Sequence, residues 1–87
     1  MSYKLNQNYP NPFNPSTTIS YELQKPGLVS LKVYNILGKV VVDLMNDTQE
    51  AGQHEISFNA VNLPSGTYIY KIQSGNFVQV RKMLLLK

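Results

Sequence analysis

Leu63-Pro64-Ser65-Gly66-Thr67-Tyr68-Ile69-Tyr70-Lys71-Ile72 decides how this chain folds. Pro64 fixes its own φ, and Gly66 supplies a positive φ that other residues adopt only at a cost. The two together turn the backbone sharply. Directly afterwards Tyr68, Tyr70 and Ile72 fall at alternate positions, which places them on one face of an extended segment. Leu63 before the corner and Tyr68 after it can return to the same core. The stretch therefore predicts a tight corner feeding a central strand.

The same alternation recurs on both sides. Before the corner, Ile19, Tyr21 and Leu23 alternate with Thr18, Ser20 and Glu22, as in a half-buried strand. Pro26-Gly27 makes a turn. Val29, Leu31 and Val33 repeat the pattern against Ser30, Lys32 and Tyr34. Asn35-Ile36-Leu37-Gly38 reads as a hairpin-like connection into a strand over Val40 to Leu44. The run Val40-Val41-Val42 leaves the inward face of that strand open. A bulge near Asp43 would let Val41 and Leu44 both point inward. Asn46 to Gly52 is polar and reads as a loop. His54, Ile56 and Phe58 then alternate with Gln53, Glu55 and Ser57. After the corner strand, Ser74-Gly75-Asn76 is a hairpin turn, and Phe77 to Leu86 is a closing strand.

With a short strand near Leu5, this makes about seven strands and no helical periodicity. The fold class is all-β: an immunoglobulin-like antiparallel β-sandwich. In such sandwiches a tyrosine at the start of a strand ties its hydroxyl to upstream backbone, and the layout around Tyr68 resembles that corner; the alternative is an ordinary loop whose tyrosine ring merely packs. Residues 1–4 read as an initiation scar or linker remnant, and 5–87 as a single domain.

Pro10, Pro12 and Pro15 stand close together in Asn8-Tyr9-Pro10-Asn11-Pro12-Phe13-Asn14-Pro15. Their spacing excludes a helix and a central strand. Asn11 and Asn14 are candidates to cap turns with their side chains. Tyr9 and Phe13 are expected to fold down as a lid. A rigid lead-in segment is favoured over a recognition loop.

Size and composition narrow the chemistry. A chain of 87 residues is one small domain. It buries only about 60–65% of its unfolded surface, so its stability belongs near the low end of about 5–15 kcal/mol. There is no cysteine, so neither disulfides nor thiolate metal sites contribute. The net charge of +3 rests on basic residues that are dispersed except at the C-terminus, which does not make a nucleic-acid footprint. No apolar run is long enough to span a membrane, so no membrane insertion is expected, and no signal peptide opens the chain. His54 is the one histidine and cannot anchor a metal by itself. Asp47 and Glu50, with Asn46, lie in one polar stretch, but their spacing lacks the calcium-loop pattern. No catalytic residues, no metal and no cofactor are predicted. The aromatic residues fall mostly at core-facing positions, so a sugar-stacking surface is disfavoured.

The chain ends Val78-Gln79-Val80-Arg81-Lys82-Met83-Leu84-Leu85-Leu86-Lys87. A basic pair is followed by four apolar residues and a terminal lysine. Such a run suits a buried strand, and on an edge it invites pairing with another chain. Either the last strand is central, or it is offered to a partner by strand addition. A homodimer by strand exchange is a further option.

Four stretches in succession resemble the type IX secretion system C-terminal sorting domain, also called the Por secretion system sorting domain. They are Leu5 to Ile19, Tyr34-Asn35-Ile36-Leu37-Gly38, Leu63 to Tyr68, and Arg81 to Lys87. Arg81 stands where that family usually has lysine, which keeps the charge. The resemblance implies a signal at the C-terminus of an exported cargo protein of Bacteroidetes-type bacteria. It implies passage through the periplasm, recognition by an outer-membrane translocon, and cleavage upstream of the domain by a sortase-like peptidase. The cargo would end secreted or at the cell surface, often attached to anionic lipopolysaccharide. Carried over by position, the recognition residues are Pro64, Gly66 and Tyr68 in the corner and Arg81, Lys82 and Lys87 in the tail. Pro10, Asn11, Pro12 and Phe13 form the N-terminal motif. A chain ending at Lys87 suits a signal read at its terminus. The alternative is a structural or adhesive module, similar to the immunoglobulin-like domain of the flagellar hook-capping protein or to a carbohydrate-binding appendage.

Overall fold

In a computed structural model, which describes residues 2–87, seven strands make two antiparallel sheets. They are β1 (Lys4–Leu5), β2 (Ser16–Leu23), β3 (Gly27–Tyr34), β4 (Val40–Gln49), β5 (Gly52–Asn59), β6 (Gly66–Ser74) and β7 (Phe77–Leu85). One sheet has the order β1-β2-β5 and the other β4-β3-β6-β7. No helix occurs among the described residues. The alternating patterns sort the side chains. Ile19, Tyr21 and Leu23 meet Val29, Leu31, Val33, Tyr68, Tyr70, Ile72, Met83 and Leu85 in one buried core between the sheets. The expected sandwich is the observed one.

Several local expectations are corrected. The polar stretch from Asn46 is largely strand, because β4 runs to Gln49 and pairs Gln49 with Gly27 and Asn46 with Ser30. Backbone bonds to a neighbour can hold polar residues in a strand, whatever their preference for loops. Only Glu50 and Ala51 separate β4 from β5, and they carry the chain from one sheet to the other. The bulge expected near Asp43 is present and is doubled. Leu31 and Lys32 pair with Met45 and Asp43, passing over Leu44, while Val33 and Tyr34 pair with Val42 and Val40, passing over Val41. Both extra residues break the strict alternation. Val41, Val42, Leu44 and Met45 all reach the core as a result.

Phe13 is buried, as a lid should be, but Tyr9 is 81% exposed. Its backbone bridges Thr18 in both directions, which turns the ring outward. The last strand is not central: β7 is an edge, with β6 on one side only. Of the expected remnant at 1–4, Met1 lies outside the described residues. Lys4 pairs with Glu22, and the Tyr3 ring stacks on Phe77 at 5.1 Å.

Candidate functional site

The corner forms as its residues require. Gly66 has φ of +149°, a value that strains any side chain, and Tyr68 Oη donates to the Pro64 carbonyl at 2.6 Å. The β6–β7 register then lays the corner along the tail: Gly66 faces Leu85, Thr67 faces Leu84 and Tyr68 faces Met83. Lys87 closes the arrangement. Its backbone N–H donates to Ser65 Oγ at 3.0 Å and its Nζ donates to the Val61 carbonyl at 2.7 Å.

The N-terminal motif arrives at the same place from the other side. Phe13 N–H donates to the Leu84 carbonyl, and Leu86 N–H donates to the Phe13 carbonyl, both at 3.0 Å. Phe13 thus makes a one-residue parallel bridge on the open edge of β7. Asn11, expected as a turn cap, instead accepts from Leu84 N–H through Oδ1 at 3.0 Å. Gln7 Nε2 donates to the Lys82 carbonyl. The segment around Gln7 to Phe13 is therefore a clasp over an edge that would otherwise show unpaired backbone. Pro10 contributes through its carbonyl, which accepts from Thr17 Oγ1 at 2.9 Å, and Pro12 is exposed.

A buried node anchors the clasp. Tyr70 Oη accepts from Asn8 N–H at 2.8 Å and donates to the Asn6 carbonyl at 2.7 Å. Asn8 Nδ2 donates to Thr17 Oγ1 and to the Pro10 carbonyl. Burial pushes the Tyr70 phenol above its ordinary value, and the Asn8 bond and the Arg81 charge pull against that shift. Sequence reasoning missed Asn8, Thr17 and Tyr70 as a unit. The signal was there in part: a tyrosine at a core position of a central strand must find a partner for its hydroxyl.

The basic pair divides. Successive side chains of a strand leave opposite faces. Arg81 turns toward the sandwich, half-buried, and its Nε donates to the Leu5 carbonyl at 3.0 Å. Gln79, two residues earlier, accepts from Leu5 N–H at 3.2 Å. These two side chains satisfy the free edge of β1 and lace the two sheets together. Lys82 points outward and is exposed, and with Asn11, Thr67, Met83 and Leu84 it lines a shallow hollow. The structure thus gathers Asn11, Phe13, Gly66, Tyr68, Lys82 and Lys87 at one pole, while Arg81 works inside the seam.

The remaining candidates do not converge on chemistry. His54 stacks on Tyr21 at 5.3 Å between ring centres, with Nε2 2.7 Å from the Glu50 carbonyl oxygen. Asn46 and Asp47 are adjacent on β4, so their side chains diverge. Among the described residues no three His, Cys, Asp or Glu gather as a metal would need.

The comparisons with known proteins fit this geometry. PorZ of Porphyromonas gingivalis is described as an essential surface component of the type-IX secretion system. Its solved structure is similar over 98% of this chain, with a TM-score of 0.63 and 18% identity. This chain spans 11% of the length of that one, and the likeness is one of fold. No curated protein matches the chain. A family model described as the secretion system C-terminal sorting domain matches residues 7–86. That span includes the clasp, the corner and the tail strand, and the chain belongs to the secretion system C-terminal sorting domain family.

Proposed function

We propose that this domain is a non-enzymatic signal whose gathered pole is read by an outer-membrane translocon. As a family member it serves type IX secretion, and its cargo is bound for the cell surface or exterior. The observation that carries the finer reading is the convergence of three distant stretches, Asn11–Phe13, Pro64–Tyr68 and Lys82–Lys87, at one end of one sheet, around the end of the edge strand β7. A receptor that grips this end reads all three at once. Pro64, Gly66 and Tyr68 set the shape of the corner. Lys82 and Lys87 supply charge, and Arg81 holds the tail in register. Pro10, Asn11, Pro12 and Phe13 fix the clasp. A sortase-like peptidase then cuts upstream, releasing the cargo or joining it to anionic lipopolysaccharide. A strand-exchanged homodimer would require the clasp to leave β7. The appendage reading finds no such support, since the family matched is a sorting domain.

The test is a reporter carrying this domain at its C-terminus in a host with a working type IX system. Lys82→Ala with Lys87→Ala should retain the reporter inside the cell while leaving the melting temperature nearly unchanged. Undiminished surface display of that variant would remove the tail from the recognition site.

A further inference from the structure

The two outer faces of the sandwich differ in kind. On β2 and β5 the outward positions are Ser16, Thr18, Ser20, Glu22, Gln53, Glu55, Ser57 and Asn59, all polar. On the other sheet, β7 sends Val78, Val80, Lys82 and Leu84 outward. Val78 and Val80 are each 51% exposed and Leu84 36%. The register sets these beside β6 and β3. Val80 neighbours Lys71, which faces Lys32; Lys82 neighbours Ile69, which faces Tyr34. Two lysines directly opposed across strands repel each other, and the fold gains nothing from the pair. The strands β3, β6 and β7 contain no Asp or Glu. From β4, Asp43 stands opposite Lys32, leaving Lys71 and Lys82 without a carboxylate across the sheet. Lys71 Nζ instead lies over the Tyr34 ring, 5.8 Å from its centre.

We infer that this face, an apolar stripe along β7 beside Lys71 and Lys82, docks an acidic protein segment. The occupant would place apolar side chains on Val78, Val80 and Leu84 and carboxylates against the two lysines. Charge complementarity argues for it, because this face is cationic while on the opposite face Lys4 stands against Glu22 and leaves Glu55 uncompensated. The inference rests on the sorting-signal reading and adds to it the surface and the chemistry of the partner. It adjoins the clasp, sharing Lys82 and Leu84 with the hollow beside Asn11, and extends from there along β7 to Val80 and Val78.

Three measurements test it. In the reporter system, Lys71→Gln with Lys82→Gln should lower export about tenfold, the scale of lost electrostatic steering. Ser16→Glu with Ser57→Glu makes the same change in net charge, from +3 to +1, on the opposite face, and should export normally. Lys71→Arg with Lys82→Arg should restore export. Equal export of all variants overturns the docking face. Separately, the isotope-labelled domain is titrated with a soluble peptide rich in Glu with Val at alternate positions. Amide shifts should cluster at Lys71, Val78, Val80 and Lys82 and fade with rising salt. Shifts elsewhere, or none, overturn the proposal even where export succeeds. Failure of the unaltered reporter to reach the surface overturns the sorting reading, and the titration still judges the face. Sedimentation with phosphatidylglycerol vesicles that the Gln pair abolishes would assign the face to a membrane and overturn the acidic-segment proposal.

Discussion

Tyr68 and Tyr70 stand two residues apart on one strand face, yet their hydroxyls do different work. Tyr68 Oη bonds a carbonyl on an exposed proline, where water can take its place. Tyr68→Phe should therefore cost only about 0.5–1.5 kcal/mol, and Tyr68→Ala, which empties a core site, about 3–5 kcal/mol. Tyr70 Oη is the shared partner of Asn8 N–H and the Asn6 carbonyl. Tyr70→Phe leaves both unpaired, at about 1–3 kcal/mol each, so it should be the costlier hydroxyl deletion. Paired urea melts of the two Phe variants check the order, and equal losses would refute it. Alkaline pH probes the same group. Burial raises the phenols of Tyr21 and Tyr70 above the ordinary value of 10.0. The unfolded chain then loses protons first, and stability falls as pH rises from about 10 through the folded values. Tyr70→Phe should flatten part of that fall in a melting series.

Among the elements, β7 carries the most consequence. It is an edge strand with an apolar tip, a combination that natural sheets protect. Protection here comes from the chain itself, through the Phe13 bridge, the Asn11 amide and the Gln7 side chain. Phe13 is buried and its ring meets Phe58 at 6.0 Å. Phe13→Ala should cost about 3–5 kcal/mol and loosen the clasp. Hydrogen exchange reads this directly: the Leu84 and Leu86 amides should lose protection before the β3–β6 ladder does. Retained protection at Leu86 would mean that the bridge does not depend on the ring. β1 makes the complementary point. Its residues pair with β2 on one side, and on the other Gln79 and Arg81 hold the N–H and carbonyl of Leu5, so two side chains do the work of a missing strand.

For the whole molecule, the signal and the scaffold share residues. The tail contributes Met83 and Leu85, both fully buried, to the core. Removing residues 81–87 deletes two core side chains worth about 2–5 kcal/mol each, against a total expected near the low end of 5–15 kcal/mol. Circular dichroism of the truncated chain should show loss of the folded spectrum. A folded truncation product would separate the tail from the scaffold. Loss of export on truncation therefore reports unfolding as readily as lost recognition, and outward-facing substitutions at Lys71 and Lys82 are the cleaner probes. Sheet asymmetry belongs to this scale as well: one outer face is wholly polar, and the other combines lysines with exposed valines.

Alternation with period two places Ile19, Tyr21, Val29, Leu31, Tyr68 and Ile72 in the core, because a strand leaves no other way to bury one face. Gly66, Pro64 and Tyr68 announced the corner through local backbone limits alone. The tail strand was legible too, but not its position in the sheet. Which strand lies at an edge depends on pairings far apart in sequence, and no local pattern encodes them. The same holds for the clasp. Asn11 seeks a hydrogen-bond partner anywhere, and only the folded chain brings Leu84 within 3.0 Å of it. The splitting of Arg81 from Lys82 followed from alternation, but the use of Arg81 required Leu5, which is 76 residues away. Short-range physics set most strands and their inward faces, but not those of β4, whose polar half and double bulge are held by pairing to β3. The order of strands, and hence the meeting of lead-in, corner and tail, was settled by long-range closure of the sandwich.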